Sequence, residues 1–183
     1  SSSPSVSVAA GVSVVSVVSA ARTGAVESAA ASAAREIWAF IRSLRSRPGA
    51  SDPDGSECYC GQRGCVETFL SGPFLETFYA RRSGTSLPLG DISKRAIVGQ
   101  DVAAVETINR LVTWFGRGVA IVINILDPHV VVLGGGVSNV DALYTRGIEA
   151  LAPWVFNDTV QTRIVRNELG DSAGVFGAAM LVA

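Results

Sequence analysis

The hydrophobic pattern is most regular in the second half of the chain. Apolar side chains recur at intervals of three and four over residues 102–126, which predicts one long helix with a buried face. Pro128 cannot continue that helix. The apolar run Val130–Leu133 predicts a strand covered on both faces, and residues 160–166 predict a second strand. With a closing helix over residues 174–182, the order of elements indicates an α/β fold.

Shorter helices are predicted around these elements, over residues 66–70, 74–82, 92–99 and 138–150. Gly84 would end the second of them. The third would be capped by Asp91 or Ser93, and the fourth by Ser138 or Asn139, because such side chains accept hydrogen bonds from the free N–H groups of a first turn.

The first part of the chain differs in character. Residues 1–50 consist mainly of Ser, Ala, Val and Arg and carry no recognisable site. Alternation over residues 12–18 suits a strand, and the Ala-rich residues 25–44 suit a helix. Residues 47–56 are rich in Pro, Gly, Asp and Ser and predict a linker. We therefore divide the chain into an atypical segment, residues 1–50, and a domain, residues 51–183.

Composition excludes two classes of partner. Fifteen Lys and Arg against sixteen Asp and Glu give a net charge of −1, which provides no basic face for nucleic acid. The apolar runs are too short to span a membrane. The apolar fraction of 48% is enough for a real core.

All three cysteines, Cys58, Cys60 and Cys65, lie within eight positions. They are too close together for a disulfide framework, so a metal site in a reducing compartment, the cytoplasm, is the better interpretation. Gly61 and Gly64 permit the turns of a tight loop, and zinc is held by closely spaced thiolates in a tetrahedron. The alternative is three idle or buried thiols.

The fourth zinc ligand is not evident. His129 is the single histidine, and its place between a helix end and a buried strand fits a surface turn better than a ligand. Glu57, Asp54 or a water would complete the tetrahedron less well.

Two further features are candidates for binding. Glu67 lies two residues after Cys65, so a metal loop would fix a carboxylate able to accept hydrogen bonds from substrate hydroxyls. Taken alone, Glu67 is explained as an acidic residue in the first turn of a helix, where the helix dipole favours it. Gly134, Gly135 and Gly136 follow a buried strand, where backbone can approach a nucleotide closely. Taken alone, the three glycines indicate only a tight turn.

The segments "CYCGQRGCVETFLSG", "INILDPHVVVLGGGVSNVDALY" and "LGDSAGVFGAA" resemble, in this order, the ROK family of repressors, open reading frames and kinases, and most of all its bacterial fructokinase branch. The resemblance covers residues 52–183. It implies the C-terminal lobe of an actin-like, ribonuclease-H-like sugar kinase. Such an enzyme transfers the γ-phosphate of Mg-ATP to a hexose 6-hydroxyl, with fructose the favoured hexose.

The resemblance also implies roles for residues. Cys58, Cys60 and Cys65 would hold a structural zinc, and Glu67 would contact the sugar. Gly134, Gly135 and Gly136 would line the nucleotide side of the cleft. The family's Glu-x-Gly-His segment, its catalytic Asp and its phosphate loops are not found, so no catalytic residue is assigned. We expect weak or absent activity from this chain alone, and weakened zinc binding.

Alternatives remain for the function and for the first segment. A non-catalytic sugar- and zinc-binding remnant or a ROK repressor fragment is the rival function, although residues 1–50 show no helix-turn-helix. Residues 1–46 have the amino-acid composition expected when GC-rich coding DNA is translated in a shifted reading frame. The alternative is a genuine N-terminal segment that is unrelated to the family. The helix over residues 102–126 could also contribute to a homodimer.

Overall fold

A computed structural model describes residues 15–18, 55–59, 61 and 63–168. The predicted helices over residues 25–44 and 174–182, most of the predicted linker, and Cys60 lie outside the described residues.

The described elements are three strands and five α-helices, four of which follow one another between the first and second strands. In chain order they are β1 (Val15–Val18), α1 (Glu67–Leu70), α2 (Gly72–Ser83), α3 (Leu89–Val98), α4 (Val102–Leu126), β2 (Val130–Leu133), α5 (Arg146–Leu151) and β3 (Arg163–Arg166). Three short 3₁₀ helices add Gly136–Asn139, Asp141–Tyr144 and Ala152–Trp154.

Helix α4 has the bounds that the hydrophobic period predicts. Asp101 caps it by accepting a hydrogen bond from the Ala104 N–H at 3.0 Å. It ends at Asp127, whose φ of 43° is left-handed, directly before Pro128. Its buried face forms the centre of the main core, together with residues of the sheet. The prediction of a long core helix is confirmed.

The sheet has the order β1-β2-β3. β1 runs antiparallel to β2, and β2 runs parallel to β3, with Val131 opposite Ile164. Val131 and Leu133 are buried in the core with α4, whereas Val130 and Val132 are half-buried. The parallel pair brings the carboxyl ends of β2 and β3 to one edge, which positions the glycine turn described below.

Helices α4 and α5 touch through their backbones at Gly116. A Cβ atom there would lie 2.5 Å from the Ala150 carbonyl oxygen, so only glycine permits this approach. On α5, a Cβ atom at Gly147 would lie 3.0 Å from the Phe115 ring. Two glycines thus set the distance between the long helix and the short one.

Two local predictions are wrong. Residues 138–150 form two 3₁₀ helices and α5 instead of one helix, because the Ser138 side chain bonds back to Gly135 and Val140 is extended. Helix α3 begins at Leu89, and neither Asp91 nor Ser93 caps it. The Leu89 N–H donates instead to the Glu76 carboxylate of α2 at 2.8 Å.

The remaining outcomes are smaller. Helix α2 ends at Gly84, as predicted, and the second strand is shorter than expected at Arg163–Arg166. Among the described residues, no helix combines the length and the apolar character needed to cross a bilayer.

Candidate functional site

The loop that carries the cysteines is a tight double turn. The Gly61 N–H donates to the Cys58 carbonyl at 2.9 Å, and the Gly64 N–H donates to the Ser56 carbonyl at 3.2 Å. Both glycines have positive φ, 78° and 69°, which other residues adopt at a cost. Cys58 and Cys65 are both buried, and no disulfide joins them to each other. The predicted role of the glycines in shaping this loop is confirmed.

An exposed pair closes the loop at its surface. Glu57 and Arg63 form an isolated antiparallel bridge, and the Arg63 guanidinium donates to the Glu57 carboxylate at 3.1 Å. Glu57, considered from sequence as a substitute metal ligand, is therefore engaged with a cation.

Buried thiols of this kind have the chemistry that zinc prefers. The described residues, however, contain no group of three or more His, Cys, Asp or Glu side chains arranged for a metal, and Cys60 is not among them. His129 is exposed in the turn before β2, as the sequence suggested, and its backbone carbonyl accepts a hydrogen bond from the Arg163 N–H at 3.0 Å. The zinc site stays a prediction.

Glu67 begins α1 and is half-buried. Thr68, the next residue, connects this helix to the cysteine loop, because its N–H and its hydroxyl both donate to the Cys65 carbonyl, at 2.8 and 2.7 Å. Phe69 anchors α1 on α4 by stacking on Trp114 with ring centres 4.0 Å apart. The Glu67 backbone is thus held by the cysteine loop on one side and the core on the other.

The glycine turn lies at the carboxyl end of β2. Gly135 has φ 77° and ψ 173°, a region that is essentially reserved for glycine. Its carbonyl accepts hydrogen bonds from the Ser138 N–H at 3.0 Å and the Ser138 hydroxyl at 2.7 Å. A Cβ atom at Gly136 would meet no atom of the described residues within 4 Å. The turn therefore leaves open space beside its backbone.

Asn167, which sequence reasoning missed, follows β3 at the same edge. Its side-chain amide and its backbone N–H both donate to the Leu133 carbonyl, at 2.9 and 3.0 Å. Its side-chain oxygen is buried and has no hydrogen-bond partner among residues 15–18, 55–59, 61 and 63–168. In the sequence, the only indication that Asn167 could be functional is its position as a polar residue directly after an apolar strand.

Arg166 and Tyr144 form a further part of this edge. The Arg166 guanidinium donates to the Asp141 carboxylate at 2.6 Å and lies 4.9 Å from the centre of the Tyr144 ring. The hydrogen bond to Asp141, followed by that to Tyr144, raises the pKa of Arg166 above its usual value, so it remains a cation. The Tyr144 hydroxyl donates to the Ser138 carbonyl at 2.8 Å, which links this cation to the glycine turn.

In doubly wound α/β sheets, ligands bind outside the carboxyl ends of the strands. The open turn after β2 and the unpaired oxygen after β3 meet at such an edge. The sequence model of the ROK family matches residues 43–183. The chain belongs to the ROK family.

Curated relatives of the chain include N-acetyl-D-glucosamine kinases. The chain is 38% identical over 125 residues to the N-acetyl-D-glucosamine kinase of Pasteurella multocida and 36% identical over 125 residues to that of Histophilus somni. Each alignment covers 68% of this chain and 41% of the relative, so the chain spans less than half the length of the relatives it matches. Neither of these two relatives is named as a fructokinase.

Solved structures confirm the predicted actin-like fold. A ROK hexokinase from Thermus thermophilus superposes with a TM-score of 0.62 at 28% identity, over 77% of this chain and 46% of that one. A ROK glucokinase from Streptomyces griseus, in complex with glucose and AMPPNP, gives a TM-score of 0.61 at 26% identity, over 75% and 49%. A ROK transcriptional regulator, a homologue of E. coli MLC protein, gives 0.53 at 25% identity, over 63% and 32%.

Proposed function

We propose that this chain is the C-terminal lobe of an ATP-dependent sugar kinase that phosphorylates a hexose hydroxyl. The observation that carries the proposal is the open glycine turn at the shared carboxyl end of β2 and β3, within a chain of the ROK family. The similarity to a glucokinase solved with glucose and AMPPNP supports it.

The glycine turn would receive the nucleotide. Gly134, Gly135 and Gly136 put no side chain between the backbone and a bound purine or ribose, and the space beside Gly136 is open. The unpaired Asn167 oxygen could accept a hydrogen bond from a nucleotide N–H or hydroxyl group. Mg²⁺ bound with ATP would neutralise phosphate charge during transfer.

Glu67 would bind the sugar. An ionised carboxylate accepts two or more hydrogen bonds, which suits neighbouring hydroxyls on a hexose. The relatives' names favour N-acetylglucosamine or glucose as the hexose. Fructose, favoured by the resemblance of the three sequence segments to the fructokinase branch, is named by neither of these proteins, so we rank it third.

Zinc would brace the cysteine loop through Cys58, Cys60 and Cys65, which in turn holds the backbone that leads to Glu67. With the fourth ligand missing, we expect weak binding. Zinc content after dialysis, measured by mass spectrometry for the chain and for Cys65→Ser, tests this. Sub-stoichiometric zinc that falls further in the variant is expected. A tight, stoichiometric site would contradict the prediction of weakened binding.

Transfer of labelled phosphate from ATP to N-acetylglucosamine, glucose and fructose tests the kinase proposal. We expect slow turnover that depends on the hexose, because no catalytic Asp or phosphate loop is recognised in this sequence. Glu67→Gln should reduce the product further, whereas Glu149→Gln, at an exposed position of α5, should not. Product formed at equal rates with and without hexose would contradict the proposal.

The similarity to a ROK transcriptional regulator favours one alternative, a sugar-sensing fragment of a repressor. Selection of bound fragments from genomic DNA distinguishes the two. Specific DNA binding that a sugar releases would support the repressor, whereas hexose phosphorylation would support the kinase.

A further inference from the structure

A cleft of about 690 Å³ lies beside the cysteine loop. Its volume falls in the range of small-molecule sites. Four arginines line it: Arg63, Arg81, Arg82 and Arg110. Glu57 is the one acidic residue among the described residues of its lining. Arg63 pairs with Glu57 at 3.1 Å and Arg82 pairs with Glu106 at 3.4 Å, so the four arginines and these two carboxylates leave an excess of positive charge at the cleft.

The arginines converge from three parts of the chain. Arg63 belongs to the cysteine loop, Arg81 and Arg82 to the last turn of α2, and Arg110 to α4. Cations in a last helical turn are explained by the helix dipole alone. The dipole of α2 does not explain why Arg63 and Arg110 point into the same cleft.

Aromatic rings hold two of the guanidinium groups in place. The Arg110 guanidinium carbon lies 4.7 Å from the centre of the Phe69 ring and 4.8 Å from that of Phe78. That of Arg82 lies 5.2 Å from the centre of the Phe78 ring. Fixed guanidinium groups lose less freedom when they bind an anion, so two donors of this cleft are preorganised.

The other two arginines can turn toward a ligand. The Arg63–Glu57 pair is exposed, with 73% and 74% of the side-chain surfaces accessible, and pairs of this kind are weak. Arg81 is exposed and has no hydrogen bond or ion pair with the part of the chain that the structure describes.

We propose that this cleft binds a phosphate group, as inorganic phosphate or as the phosphomonoester of a small metabolite. The planar fork of arginine donates two parallel hydrogen bonds to phosphate oxygens, which makes arginine the residue suited to this anion. Phe74 and Phe78 also line the cleft and would contact the organic part of an ester. The site is separate from the proposed nucleotide turn and does not depend on kinase activity.

Isothermal titration of the chain in chloride buffer at low ionic strength tests the proposal, with inorganic phosphate, phenyl phosphate and uncharged phenol as probes. We expect both phosphates to bind and phenol not to bind. Arg81→Gln and Arg63→Gln should each weaken binding about tenfold, as expected for the loss of one charged hydrogen bond. Arg163→Gln, an exposed arginine on β3, is the matched control and should bind as the wild type does.

The two probes distinguish the sources of the phosphate group. Equal affinities point to inorganic phosphate, and tighter binding of phenyl phosphate points to an organic phosphomonoester. The proposal is overturned if both phosphates bind more weakly than about 1 mM. It is equally overturned if Arg81→Gln and Arg63→Gln leave the affinity unchanged, since the anion would then bind elsewhere, for example at the nucleotide turn. Because both substituted side chains are exposed, the variants should fold, and their thermal unfolding checks this.

Discussion

The chain uses glycine in two opposite ways, at the contact of α4 with α5 and at the turn after β2. At Gly116 there is no room for a side chain, because the backbone of α5 occupies the space where it would be. At Gly136 there is room for one, and nothing in the described chain fills it. The first glycine serves packing within the lobe. The second leaves a surface of backbone accessible, which is the property that a nucleotide site needs.

Replacing Gly116, the glycine at the contact of α4 with α5, should reduce the stability of the chain more than replacing Gly136. Gly116→Ala would place a Cβ atom 2.5 Å from the Ala150 carbonyl oxygen and 2.6 Å from its carbon, and neither backbone atom can rotate away. We expect a loss of about 3 kcal/mol in the free energy of unfolding, the upper part of the range for overpacking. Urea denaturation measures it.

Gly118 provides the matched control on the same helix. A Cβ atom there would lie 3.6 Å from the Leu70 methyl group, an ordinary contact, so Gly118→Ala should stabilise the chain by about 0.5–1 kcal/mol. If both alanine variants unfold at the same urea concentration, the close approach of α4 and α5 is not as described.

Alanine substitutions at the two glycines of the turn, Gly135 and Gly136, should differ in their effect on stability. Gly135→Ala forces alanine into φ 77° and ψ 173°, which should cost about 1–2 kcal/mol. Gly136→Ala has neither a positive φ nor a clash, and should change stability by less than about 0.5 kcal/mol. Thermal unfolding of the pair measures both effects, and equal midpoints would show that the turn relaxes to another backbone conformation.

A smaller effect is expected at the N-terminus of α4. The Tyr79 hydroxyl donates to the Asp101 carboxylate at 2.7 Å, and this bond, followed by that from the Ala104 N–H, lowers the pKa of Asp101. The carboxylate therefore stabilises the fold above the usual Asp pKa. That contribution is lost as the pH falls through the lowered value.

Asp101→Asn keeps an oxygen for the Ala104 N–H and removes the charge. At neutral pH it should lower the unfolding temperature slightly, and the difference from wild type should vanish in strong acid. Asp91→Asn, at an exposed i,i+3 pair with Lys94, is the control and should show little effect at any pH. A constant difference at all pH values would show that the Asp101 charge is not responsible.

The parts of the fold that sequence predicted depend on local patterns. Helix α4 and strand β2 follow from the spacing of apolar residues and from one proline, so their bounds were correct. The glycines of the cysteine loop were likewise assigned to turns, because glycine alone has that freedom.

What sequence missed depends on residues far apart in the chain. Glu76 caps α3 from the preceding helix, 13 positions from Leu89. Asn167 reaches the Leu133 carbonyl across 34 positions, and only the parallel register of β2 and β3 brings them together. The four arginines of the basic cleft come from separate elements. Local spacing does not indicate which distant residues are the partners in these contacts.

The most direct test of the account is calorimetric titration of the chain with AMPPNP and Mg²⁺. Gly136→Val would fill the open space at the turn, and Gly90→Val, at an equally open position on α3, is the control. We predict measurable binding that Gly136→Val weakens about tenfold, the effect of 1.4 kcal/mol, and that Gly90→Val leaves unchanged. If the wild-type chain binds no nucleotide, or if all three proteins bind it equally well, the turn after β2 is not a nucleotide site and the kinase account is contradicted.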